Sequence, residues 1–71
     1  MLKYKRISYE NGIIVYEFYP EGDVSAPGIV SFDGEKRNVI KESSKDVKHY
    51  YANHAIFGID TKKESGTVAW C

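Results

Sequence analysis

The chain has 71 residues, ten basic and ten acidic, giving zero formal net charge and a pI near 6.7. A chain this short makes one domain, residues 1–71, near the lower limit of what folds without a staple. The charge balance supplies no basic surplus for nucleic acid or anionic membrane, and it leaves little repulsion against self-association.

One cysteine, Cys71, excludes an internal disulfide. No apolar run approaches the roughly 20 residues of a membrane span. The charged segment Met1–Arg6 has no apolar stretch behind it of the kind a signal peptide carries. No membrane association is expected, and a cytoplasmic location is. Aromatic content is high at 14%, with six tyrosines. Tyr offers a large apolar body and a polar tip, which suits a thin, half-exposed core.

The strongest local signal is Asn11-Gly12. This pair accepts positive φ at both central positions of a type I′ turn, and apolar residues flank it on both sides. A two-residue loop there pairs Glu10 with Ile13, Tyr9 with Ile14 and Ser8 with Val15. Continued without a break, it sets Ile7 opposite Tyr16, Arg6 opposite Glu17, Lys5 opposite Phe18 and Tyr4 opposite Tyr19. Alternation then divides the hairpin into two faces. One is apolar, with Ile7, Tyr9, Ile14, Tyr16 and Phe18; the other is mixed, with Tyr4, Tyr19 and an Arg6/Glu17 pair.

Pro20 ends the second strand, because it cannot donate to a ladder. The stretch from Pro20 to Gly28 is the longest expected loop, either a recognition element or a plain connection. Ile29–Phe32 reads as a strand, and Asp33-Gly34 as a second hairpin turn. A four-residue loop there matches Val30 with Val39 and Ile29 with Ile40, and is preferred over a two-residue loop that sets Val30 against Arg37.

A helix is expected to begin near Glu42–Asp46, capped by Ser43 or Ser44 with Asp46 at the positive end of the dipole. From Val47 the apolar period lengthens to about 3.6, placing Val47, Tyr50, Tyr51, His54, Phe57 and Gly58 on the side expected to meet the sheet. Ile56 and Ile59 do not fit that stripe. Either the helix is covered more fully, or it stops near Gly58 and Ile59 folds back past a left-handed glycine cap. Thr67–Trp70 is β-prone and is expected to return as a last strand. The expected fold class is α+β, a small antiparallel sheet of two hairpins plus a C-terminal strand in the order β-β-β-β-α-β, with one helix on one face.

Catalytic chemistry finds little support. Cys71 with His49 or His54 is the one thiol–imidazole combination, and a chain-terminal thiol beside its own carboxylate disfavours the thiolate. His49 and His54 diverge by about 140° on a regular helix, so they cannot share a metal as an i,i+4 pair would. Asp33-Gly34-Glu35 is too short for a calcium loop, and no glycine pattern fits a phosphate loop. No enzyme activity, cofactor or metal is expected. Binding is the remaining class. The expected function is contact with a protein partner or self-association, since the aromatic residues exceed what one small core buries. The alternative is weak single-stranded nucleic-acid binding through Tyr4, Arg6 and Tyr19 with neighbouring Lys3 and Lys5.

Overall fold

The computed structural model describes residues 1–70, so the thiol considered at Cys71 lies outside the described residues. The chain runs through β1 (Leu2–Glu10), β2 (Ile13–Pro20), β3 (Gly28–Asp33), β4 (Lys36–Lys41), α1 (Tyr50–Gly58) and β5 (Ser65–Val68). The strands form one antiparallel sheet ordered β4-β3-β2-β1-β5, and α1 packs on one face of it. This is the α+β arrangement that the sequence predicts.

The first hairpin turns where Asn11 (φ 53°) and Gly12 (φ 79°) both adopt the left-handed conformation. Its tip has the expected register, with Glu10 opposite Ile13, Tyr9 opposite Ile14 and Ser8 opposite Val15. Beyond Ser8 the expectation fails. Arg6 lies opposite Tyr16, so Ile7 is an extra residue, bulged out of the ladder. One inserted residue reverses every side chain that precedes it. Tyr4 pairs with Phe18 and Lys3 with Tyr19, so Leu2, Tyr4 and Arg6 turn to the covered face while Lys3 and Lys5 turn to solvent. Ile7 is left 47% exposed.

The covered face is built largely of rings. Tyr4, Tyr16, Phe18 and Phe32 are buried there with Leu2 and Val30. Tyr16 meets Tyr4 and Phe32 edge-on, with centroids 5.5 and 5.9 Å apart. Two of these rings lie over glycines on neighbouring strands, Phe18 over its cross-strand partner Gly28 and Tyr4 over its partner Gly66. A Cβ on Gly66 would stand 2.6 Å from the Tyr4 hydroxyl oxygen, so no larger residue fits beneath the ring.

The second hairpin sets Phe32 against Arg37, Ser31 against Asn38 and Val30 against Val39, as the longer loop predicts. Two details differ. Asp33 and Lys36 also pair, which shortens the turn to Gly34-Glu35, and a second irregularity brings Ile29 opposite Lys41 instead of Ile40.

The Pro20–Gly28 connection is ordered by its own contacts. Glu21 (φ 52°) and Gly22 (φ 77°) make a tight turn closed by the Asp23 N–H donating to Pro20 O at 3.0 Å. Asp23 accepts from Ser25 and pairs with Lys45. The buried Ser43 hydroxyl donates to Ala26 O and so ties this loop to the approach to α1.

That contact explains why the helix begins later than expected. Ser43 is committed to Ala26 and to accepting the Lys45 N–H, so it caps nothing. Lys48 (φ 56°) and His49 (φ 62°) turn the chain through two left-handed residues, and α1 starts at Tyr50. Asp46 sits outside this turn as the effective cap, its two carboxylate oxygens accepting the N–H groups of Tyr51 and Ala52 at 2.9 and 3.0 Å. The helix ends at Gly58, which stays outside the left-handed region, and buried Ile59 folds back with its N–H on Ala55 O.

Candidate interaction surface

The side of α1 that meets the sheet is the reverse of the one expected. Ala52 and Ala55 are fully buried against it, followed by Ile59 and, in part, Ile56. The stripe of Tyr50, His54 and Phe57, expected beneath the helix, lies on the opposite side. The reason is volume. The sheet already fills the interface with four rings, and a helix can approach them closely only through side chains that end at Cβ. Large residues on both surfaces would overpack the same space.

The large residues of the helical segment therefore form an outward surface. Val47 is 68% exposed, Tyr50 48% and Phe57 78%. Trp70, just past β5, returns alongside the helix and lays its indole flat on His54, with ring centres 3.9 Å apart and planes within 5°. Its Nε1–H donates to the Tyr50 hydroxyl at 2.6 Å, and Tyr51 packs edge-on against both Tyr50 and Trp70. The Tyr51 hydroxyl donates to Glu21, which also receives the Met1 ammonium. These two donors hold the Glu21 carboxyl below its ordinary range, and the carboxylate in turn pushes the Tyr51 phenol up.

Next to this cluster runs an open groove of about 530 Å³. Val47, Tyr50 and Tyr51 give it apolar walls, with Lys48, Asn53 and His54 as its polar groups. Aromatic rings carrying polar tips beside an exposed apolar ridge make the residue mixture that protein interfaces favour. His54 is covered by Trp70, and His49 Nδ1 contacts the Glu42 carboxylate on the far side of the left-handed turn. Among the described residues, no three His, Cys, Asp or Glu side chains gather as a metal site. No helix there is long and apolar enough to cross a membrane.

The three binding residues singled out in the sequence do not share a face. Tyr4 is buried in the core, and its hydroxyl accepts the Asp60 N–H at 3.4 Å. Arg6 is also on the covered face, where its guanidinium lies 5.3 Å from the Tyr9 ring centre and donates to Thr61 O at 3.0 Å. An unbroken strand would put both on the mixed face, and the Ile7 bulge turns them to the covered one. Tyr19 alone is on the outer face with Lys3 and Lys5, its hydroxyl donating to Glu17 at 2.8 Å. Partial burial and the nearby Glu17 carboxylate push that phenol up to about 12.

Val47, Tyr50 and Phe57 are the surface residues that sequence reasoning turns inward. Their signal was present in Ala52, Ala55 and Ile59, which recur at i, i+3 and i+7 and make a second stripe of small size. Comparison of the chain with protein-family models, with curated proteins and with solved structures returns no match.

Proposed function

We propose that this chain is a non-enzymatic protein-contact module that uses the outward side of α1, together with Trp70, as its docking surface. One observation carries the reading: the helix puts its alanines against the sheet and leaves Phe57 and about half of Tyr50 in water, with Val47 just ahead of it also exposed. A small fold that leaves apolar side chains of this size exposed gives up burial that a partner can recover. The zero net charge permits that partner to be a second copy of the chain. The nucleic-acid alternative is weaker, because Tyr4 and Arg6 are committed to internal contacts and Tyr19 remains as a single ring on the outer face.

Sedimentation equilibrium over a wide concentration series tests the self-contact form of the proposal. The expected result is a mass that rises with concentration and returns to the monomer value in Phe57→Ser. A monomer at every concentration would remove self-association. Equal association of wild type and Phe57→Ser would move the contact away from α1. A single-strand oligonucleotide titration at two salt concentrations should give no saturable shift; a strongly salt-dependent one would revive the alternative.

A further inference from the structure

Beneath the hairpin tips the covered face opens into a second cavity, of about 260 Å³. Ile14 and Phe32 form its floor, Ile59 and Thr61 close one side, and Arg37 stands in its wall. The two arginines of this region bond only to neutral groups. Arg37 donates to Ile56 O at 3.3 Å, and its guanidinium carbon lies 6.0 Å from the Phe57 ring centre. Arg6, half-buried, donates to Thr61 O and to the Tyr16 hydroxyl, while its Nε is buried without a partner. Asp60 lies on the roofing segment, but its carboxylate is exposed and accepts the Lys62 N–H at 2.9 Å. Among the described residues, no carboxylate is within ion-pair distance of either guanidinium.

Arg37 lines the cavity without a counter-ion beside the apolar side chains of Ile14 and Phe32, and Arg6 reaches its wall only through Thr61 O, which leaves the Arg37 charge open to an anion. A guanidinium presents paired N–H donors matched to a carboxylate, and Arg37 is exposed enough for a ligand to reach it. We propose that this cavity binds a small organic monocarboxylate. The Arg37 guanidinium takes the carboxylate, and the floor of Ile14 and Phe32 with the Ile59 side takes the hydrocarbon body. The volume falls just below the roughly 300–1,000 Å³ of drug-sized pockets, which limits the body to about one ring or a short chain. This site is separate from the outward side of α1 and does not depend on the protein-contact reading.

Two-dimensional amide NMR titrations with benzoate, its neutral counterpart benzamide, and inorganic phosphate test the proposal. Benzoate should give saturable shifts at Gly12, Phe32, Gly34 and Thr61. Benzamide and phosphate should each bind at least about tenfold more weakly, since one lacks the charge and the other the body. Arg37→Gln should weaken benzoate about tenfold or more with the melting temperature retained. If that variant does not fold, the comparison of benzoate with benzamide on the wild type decides alone. Absence of saturable shifts at the cavity would overturn the proposal, as would shifts confined to the α1 groove. Benzamide or phosphate affinity equal to that of benzoate, or undiminished benzoate affinity in folded Arg37→Gln, would do the same.

Discussion

Adding one methyl group at Gly28 should cost more stability than its size suggests, because the Phe18 ring occupies the space where a Cβ would go. Even the ring atom Cε2 would be only 2.8 Å from that carbon, and two other ring atoms would be closer still. Phe18 is fully buried between Tyr4 on β1 and Gly28 on β3, so the ring cannot move aside without displacing the core. Overpacking of this kind costs about 1–3 kcal/mol. The whole fold is worth only about 4–11 kcal/mol at roughly 0.05–0.15 kcal/mol per residue. Gly28→Ala should therefore lower the melting temperature by roughly 8–16 °C for a cost near 2 kcal/mol. Urea unfolding followed by circular dichroism and by Trp70 fluorescence measures the loss. The cause is isolated by repeating the substitution in a Phe18→Leu background, which removes the overlapping ring atoms. There Gly28→Ala should cost at least about 1 kcal/mol less, a coupling within the range that contacting residues show. A cost below about 0.5 kcal/mol in the native background, or the same cost in both backgrounds, would refute the ring-over-glycine packing.

Further outcomes follow from the polar contacts. Tyr16 is fully buried and its hydroxyl donates to Lys63 O at 2.6 Å, so Tyr16→Phe should cost about 1–3 kcal/mol in urea unfolding by leaving that carbonyl and Arg6 short of a partner. At alkaline pH, Tyr19 titrates at about 12 in the fold against its ordinary 10.0, so its contribution is present below pH 10 and is lost as pH rises towards 12; Tyr19→Phe should flatten that slope in melting curves. At acid pH the sign reverses. The Asp23 carboxyl is held well below its usual 3.8, first by Lys45 and then by Ser25, so the stability it contributes is present above pH 3.8 and is lost as pH falls through the lowered value. Asp23→Asn should lower stability near neutral pH and reduce its dependence on acid.

The sequence showed chemically enforced features well and space-filling features poorly. Asn11-Gly12 was readable because few residue pairs accept two left-handed conformations in succession. The Val30–Val39 match was readable because it sets apolar opposite apolar. The Ile7 bulge was not, since reading alternation assumes that nothing is inserted. A trace of it existed: Leu2 and Tyr4 are apolar at even positions, whereas Tyr9 faces inward at an odd one, and no unbroken strand places all three on one side. That single residue moved Tyr4 and Arg6 off the anticipated binding face and left Tyr19 on it. Helix orientation was missed for a different reason. A stripe read by hydrophobicity favours large side chains, but the partner surface determines which size fits, and four rings on the sheet required alanine opposite them. Ser43 could not be assigned from local pattern at all, because its hydroxyl serves Ala26, distant in sequence.

The orientation of α1 is tested most directly by stability measurements on one substitution from each side of it. With Ala55 fully buried and Phe57 78% exposed, Ala55→Leu should cost about 1–3 kcal/mol and Phe57→Ala no more than about 0.5 kcal/mol. A loss of about 3–5 kcal/mol in Phe57→Ala, beside a tolerated Ala55→Leu, would mean that the aromatic stripe lies against the sheet, and the docking surface built on it would not exist.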